Sequence, residues 1–295
     1  MADDITVEKI IDDHQSSGRF VEVDGIRTFV LDQGTGEPVF CIHGVPTSSF
    51  LYRKVLRELA SKGLRGVAID LPGLGLSDRP EDFDYSFPNF ARFCARAAET
   101  LGLTRYHLLI HDIGGPIGFA MAAENKEKVL SLTILNTWID VVNFKKPLPM
   151  RPFEVPLVGE AQLALTTHLT WPLLFNTMGV ESDDRISKEE INAYVDLLKR
   201  GDDGKAFLKI MRNFDHSEAF RALCYSAVQQ VPYPVQAIWG ANDPALSLNE
   251  YGEEIKEVAG LDTIYTLPAR HFLQEEQWEG IADRVAIIAN SSSDA

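Results

Sequence analysis

The sequence predicts an α/β domain built on a mostly parallel sheet and interrupted by one helical insertion. Three observations carry this reading. Short, wholly apolar runs suited to buried parallel strands alternate with amphipathic helical stretches over the first half of the chain. A run of apolar or aromatic-type positions, His107-Leu-Leu-Ile-His111, leads directly into Asp112, Ile113-Gly-Gly115 and a helical stretch, the pattern of strand, sharp turn and helix. Between residues 144 and 229 the strand pattern disappears, and Pro232-Tyr-Pro234 restarts it.

The elements follow in order. Residues 20–32 alternate on both sides of Asp24-Gly25, a hairpin signal, and 33–38 read as loop. Val39-Phe-Cys-Ile42 suits a central parallel strand and ends in His43-Gly-Val-Pro46. Ser48 or Ser49 can cap a helix whose Leu51, Val55, Leu56 and Leu59 share one face. Gly66-Val-Ala-Ile-Asp70 repeats the strand pattern, a helix is predicted over 87–102, and Leu130–Leu135 forms the strand ending at Asn136. Lys145-Lys-Pro-Leu-Pro-Met-Arg-Pro152 opens the helical stretch, in which Ser187-Lys-Glu-Glu190 is a capping box and Gly201 a stop. Strands over 235–239 and 263–267, then His271 and a helix over 279–290, close the chain, with a fraying tail from Ser291. The expected organisation is a core from residues 1–143 and 230–295, with a helical cap over 144–229.

The composition narrows the function classes. With 295 residues and 45% hydrophobic content, the chain can bury one large core. No apolar run approaches the roughly twenty residues of a membrane span. The start, Met1-Ala-Asp-Asp, is acidic where a signal peptide would be basic, so a cytoplasmic location is expected. Cys41, Cys94 and Cys224 are odd in number and set in apolar surroundings, which predicts buried free thiols. A formal charge of -15, from 43 acidic and 28 basic residues, argues against nucleic acid and anionic membranes as partners. No Cys/His spacing suggests zinc or another metal, and Gly73-Leu-Gly75 lacks the lysine of a phosphate cradle, so no cofactor is expected. His43, His107 and His111 have local structural readings. Nothing in the sequence fixes an oligomeric state.

Three residues carry the chemistry. Asp112, Asp243 and His271 each follow a predicted strand, where an open parallel sheet lines its ligand crevice. Each alone has a bland reading as a turn, cap or packing residue; together they form nucleophile, acid and base in chain order. Asp112 occupies the tip of a nucleophile elbow. A carboxylate there attacks an sp3 carbon to give an alkyl ester, which water activated by His271, oriented by Asp243, then hydrolyses. The backbone amides of Val45 and Ile113 are candidates for the oxyanion hole of that second step.

With these residues in view, the chain resembles the aspartate-nucleophile branch of the α/β-hydrolases, the haloalkane dehalogenases and epoxide hydrolases. His43-Gly-Val-Pro-Thr-Ser-Ser49, Asp70-Leu-Pro-Gly-Leu-Gly-Leu-Ser-Asp78, His111-Asp-Ile-Gly-Gly115 and His271-Phe-Leu-Gln-Glu275 carry the resemblance over essentially the whole chain. It implies the α/β-hydrolase fold with an inserted helical cap, and a small apolar organic substrate with water. Asp243 resembles the acid position of epoxide hydrolases and of one dehalogenase subgroup; Asn136 stands where other dehalogenases carry Glu.

The departures set the substrate expectation. Dehalogenases hold the leaving halide with two N–H donors, often a Trp after the nucleophile and an Asn in the His-Gly motif; here these positions are Ile113 and Val45. Trp171 in the cap could supply one N–H, with core packing as its plainer role. Epoxide hydrolases instead use cap tyrosines as ring-opening acids, for which Tyr194 and Tyr225 are candidates and Tyr233 a weaker third. Both main candidates also fit simple packing stripes. Epoxide opening to a vicinal diol therefore ranks first, dehalogenation second, and a catalytically idle ligand-binding protein third. One further departure is Ile110, two before Asp112, where a small residue is the usual choice and a larger one crowds the turn.

Overall fold

The computed structural model describes residues 5–182 and 184–293. Its strands are β1 (Arg19–Val23), β2 (Ile26–Gln33), β3 (Pro38–Ile42), β4 (Arg65–Ile69), β5 (Tyr106–Ile110), β6 (Val129–Leu135), β7 (Val235–Gly240) and β8 (Tyr265–Leu267). They form one sheet in the order β1-β2-β4-β3-β5-β6-β7-β8. β1 and β2 pair antiparallel, as do β2 and β4, and the remaining ladders are parallel. This is the mostly parallel α/β sheet that the alternation of elements predicts, in the α/β-hydrolase arrangement that the resemblance implies.

The helices outside the β6–β7 connection are α1 (Val7–Ser16), α2 (Arg53–Ser61), α3 (Phe87–Thr100) and α4 (Gly114–Glu124) before it. Between β6 and β7 come a 3-10 turn at Leu148–Glu154, then α5 (Val158–Leu165), α6 (Trp171–Leu174), a π-helical turn at Phe175–Gly179, α7 (Lys188–Lys199), α8 (Lys205–Met211) and α9 (Glu218–Ser226). After β7 stand α10 (Glu253–Ala259), α11 (Leu273–Glu276) and α12 (Trp278–Ser293). Alternate strand residues feed two cores. Phe40, Ile42, Leu108 and Ile110 pack with α3, α4 and α9, whereas Val39, Cys41 and Leu109 pack with α2 and α12. Coverage on both faces explains why β5 and β6 are buried at every position.

From β3 the chain moves to β4 on one side and then to β5 on the other. The carboxyl ends of β3 and β5 therefore flank the crevice where the strand order reverses. His43-Gly-Val45 leaves β3 there, and Asp112 leaves β5.

Several elements differ from expectation. α1 carries no long apolar periodicity; Thr6 caps it by accepting from the Lys9 amide at 3.2 Å, and it buries Ile11 and His14. α12 continues through Ser291 to Ser293 instead of fraying there, while Asp294 and Ala295 of the expected tail lie outside the described residues. The capping box at Ser187 and Glu190 forms as the sequence predicts. The three cysteines are buried and free. Among the described residues no helix is long and apolar enough to cross a membrane.

α7 is fastened to the sheet domain by buried charge. Glu275 is fully buried and accepts from Arg53 of α2, with Lys54 Nζ 2.8 Å away. The Tyr194 hydroxyl donates to the same carboxylate at 2.5 Å, and Arg53 also donates to Glu190 at 2.7 Å. A lone buried carboxylate would cost several kcal/mol, and these donors offset that cost. Glu275 is accordingly held below the usual carboxylate range: burial pushes it up, but the Arg53 and Lys54 charges outweigh burial.

Candidate active site

The turn at Asp112 is tight by construction. Asp112 has φ of 53°, in the left-handed region that a non-glycine residue occupies at a cost. Its N–H donates to the Asn136 carbonyl at 3.0 Å, and the Thr137 hydroxyl donates to its carbonyl at 2.6 Å. Those bonds over-determine the strained residue. Gly44 is required by proximity, because a Cβ there would lie 2.2 Å from the Asp112 Cβ. The bulk of Ile110 is accommodated by Gly118, one turn into α4, where a Cβ would meet Ile110 Cγ2 at 2.3 Å. The crowding expected at the turn is thus relieved from the helix side.

Asp112, His271 and Asp243 come together. His271 Nε2 lies 3.5 Å from Asp112 Oδ2, and Nδ1–H donates to Asp243 Oδ2 at 2.8 Å. The carboxylate of Asp243 accepts further from the amides of Ala245 (2.7 Å) and Leu246 (3.0 Å) and from Asn136 Nδ2 (2.6 Å). Asn136 is itself fixed, its Oδ1 accepting from the Gly240 amide at 2.8 Å. The side chain that stands where a Glu might have been therefore holds the acid in place. The Val45 N–H donates to Asp112 Oδ1 at 2.8 Å, and the Ile113 amide also reaches this carboxylate.

Electrostatics follow from this geometry. Burial alone would push the Asp112 carboxyl up, but the His271 hydrogen bond and charge, with His111 and the Ile113 amide, hold it below the ordinary value. Burial would likewise push His271 down. The Asp243 charge, the hydrogen bonds to Asp112 and Asp243 and the Asp112 charge together outweigh this and raise it to about 10. His111 adds a contact that its place on the strand did not announce. Its Nε2–H donates to the His271 carbonyl at 2.9 Å and its ring packs against the His271 ring, centroids 4.7 Å apart. Burial lowers its pKa to about 3, so it stays neutral beside the charged pair.

Asp112 opens into an apolar cavity whose walls include Val45, Ile113, Phe144, Met150, Leu174 and Phe272. Trp138, Trp171 and Lys146 also line it; no tyrosine is among the lining residues. Trp171 is buried, and its Nε1–H has no hydrogen-bond partner among the described residues. The tyrosine candidates lie elsewhere. Tyr194 is committed to Glu275 and packs between Phe50, Phe175 and Phe272. Its hydroxyl is thus turned to the ion cluster, behind the cavity-lining rings of Phe175 and Phe272. Tyr225 is half-buried beside Arg221, and the Tyr233 hydroxyl donates to the Ala227 carbonyl at 2.7 Å.

Comparison with known proteins agrees with this architecture. Residues 37–166 match the alpha/beta hydrolase fold family. Haloalkane dehalogenase 2 of Mycobacterium tuberculosis is 42% identical over 112 residues, 38% of this chain and 39% of that protein. The chain thus spans about two fifths of the length of that relative. The haloalkane dehalogenase of Mycobacterium marinum is 26% identical over 272 residues, 88% of each chain. Among solved structures, epoxide hydrolase VrEH1 from Vigna radiata superposes with a TM-score of 0.76 at 22% identity, covering 93% of this chain and 97% of that one.

Proposed function

Starting from an α/β hydrolase of the branch that holds haloalkane dehalogenases and epoxide hydrolases, we propose that this chain hydrolyses carbon–halogen bonds of small organic compounds through an aspartyl ester on Asp112. The observation that carries the choice of leaving group is the buried, unpartnered N–H of Trp171 in the wall of the cavity that holds Asp112. A departing halide needs a hydrogen-bond donor but no proton. An epoxide oxygen needs a proton donor, and the phenols expected to serve lie outside the cavity lining. This reverses the order that the sequence suggested.

In the first step Asp112 Oδ2 attacks the sp3 carbon as the carbon–halogen bond breaks, and the halide leaves toward the Trp171 N–H. In the second, His271 Nε2 takes a proton from water, which attacks Cγ of Asp112. The negative charge that develops on Oδ1 is held by the Val45 and Ile113 amides. Collapse breaks the bond between Cγ and the alkoxy oxygen, which takes the His271 proton and leaves as alcohol. Asp112 then ionises, so each turnover yields one alcohol, one halide and one proton. The helical segment over 144–229 acts as the cap that keeps bulk water from the site.

The test is the variant His271→Gln with 1-bromobutane. Bromide should appear in a single burst, and the intact protein mass should rise by one butyl group, a rise that Asp112→Asn abolishes. No bromide from chloro- and bromoalkanes with either wild type or variant, alongside diol from styrene oxide, would overturn the choice of substrate. No mass change with any substrate that is turned over would overturn the covalent mechanism.

A further inference from the structure

The cavity around Asp112 is hydrocarbon and aromatic along most of its wall, and Lys146 stands out against it. The Lys146 side chain is 4% exposed, and its Nζ donates to Glu154 Oε1 at 2.6 Å. The same ammonium lies 3.6 Å from the centroid of the Phe214 ring, another wall residue. Phe214 stacks with Trp138, which stacks on Phe144 at 3.7 Å between centroids. The cation thus caps an aromatic stack that forms one side of the cavity.

Such a placement is expensive if packing is its sole purpose. Desolvating an ammonium costs several kcal/mol, and a methionine or leucine would fill similar space without that cost. The ion pair is also lopsided. The Glu154 side chain is 42% exposed against 4% for Lys146, so the carboxylate can turn out into water while the ammonium stays. An ammonium has three N–H donors, and Glu154 takes one of them.

We propose that Lys146 is an anion-recognition residue of the substrate cavity, and that the halogenated compounds processed at Asp112 carry a carboxylate. The carboxylate binds the Lys146 ammonium, displacing Glu154 toward solvent, while the hydrocarbon part lies on the apolar wall. Glu154 is then a resident counter-ion that keeps the lysine charged when the cavity is free. This substrate class rests on the reaction proposed above, but the recognition of an anion does not.

Binding to the full-length protein separates the two. Hexanoate and its neutral isostere hexanamide are titrated by isothermal calorimetry, with fluorescence of Trp138 and Trp171 as a second readout. Hexanoate should bind wild type at least tenfold more tightly than hexanamide. Lys146→Met should weaken hexanoate at least tenfold and leave hexanamide within twofold, and Glu154→Gln should strengthen hexanoate several-fold by removing the internal competitor. Equal affinity of acid and amide for wild type, or equal weakening of both by Lys146→Met, would overturn the proposal. Should Lys146→Met fail to fold, the acid-to-amide ratio in wild type and its change in Glu154→Gln still decide. If recognition fails while 1-bromohexane still releases bromide, the chemistry stands without it. If hexanoate binds as stated but neither 6-bromohexanoate nor 1-bromohexane releases bromide, the anion site stands and the choice of reaction fails.

Discussion

Replacing Trp171 with Phe separates a leaving-group donor from a packing residue, because the two roles move different observables. If the indole N–H receives the departing halide, the variant loses a hydrogen bond to an ion, worth about 1.5–3 kcal/mol. That corresponds to roughly a ten- to hundredfold fall in rate. The loss should fall on ester formation alone, since the halide has departed before water attacks. Stability should respond differently. The N–H is buried without a partner among the described residues, a state that costs about 1–3 kcal/mol, and phenylalanine removes that cost. Against this stands the lost packing of the larger ring, of similar size and opposite sign. The melting temperature should therefore stay within about 3 °C of wild type. Rapid-quench mass spectrometry of the butyl ester in a His271→Gln background gives the first rate, and thermal denaturation gives the second quantity. An unchanged rate of ester formation would refute the donor role. A large fall in melting temperature with a matching loss in every step would assign Trp171 to packing instead.

Three further outcomes follow from the site. Asn136→Ala removes the 2.6 Å donor to Asp243, so His271 should be less well oriented; ester hydrolysis should slow about tenfold and the ester should accumulate on the otherwise active enzyme, seen by intact mass. His271 is raised from 6.5 to about 10, so the native state binds its proton more tightly than the unfolded chain. This contributes stability fully present below pH 6.5 and lost as pH rises toward 10, and urea titrations across that range should show the loss shrink in His271→Gln. Gly118→Ala puts a methyl group 2.3 Å from Ile110 Cγ2 and should destabilise by about 1–3 kcal/mol; because Ile110→Ala removes Cγ2, the two losses should sum to less than additive in the double variant, measured by urea denaturation.

Much of the grouping of Asp112, Asp243 and His271 was legible because each part leaves a local mark. A buried strand followed by His-Asp-x-Gly-Gly marks the elbow, and strand ends mark Asp243 and His271. Direction of side chains across the helical segment left no such mark. The 3.6-residue period of α7 correctly places Tyr194 on the buried face with Ile191, Val195 and Leu198. It does not say what that face is buried against, and the answer, Glu275, stands 81 residues further along the chain. Lys146 was hidden in the proline-rich stretch that opens the helical segment, since nothing in a single sequence distinguishes an exposed lysine from one capping an aromatic stack. His111 and Gly118 were visible as residues but not as partners, because their contacts to His271 and Ile110 depend on packing between elements.

The charge arrangement resolves an apparent conflict in the proposed mechanism. A histidine raised to about 10 holds its proton at neutral pH and is a poor base, yet the second step requires a base. Two carboxylates hold that proton: Asp243 at 2.8 Å and Asp112 at 3.5 Å. Ester formation removes the charge of one of them. The proton affinity of His271 therefore falls when Asp112 is alkylated, so the ring gains basicity of use at neutral pH only after the intermediate exists. Before that point the imidazolium helps keep Asp112 ionised as a nucleophile. In the proposed reaction the same pair thus favours attack in one state and hydrolysis in the next. The consequence is measurable in wild type: the pH at which ester hydrolysis reaches half its maximum should lie below the His271 value of the free enzyme, about 10. A coincidence of the two values would mean that Asp112 contributes nothing to the histidine's charge, contrary to the geometry of the site.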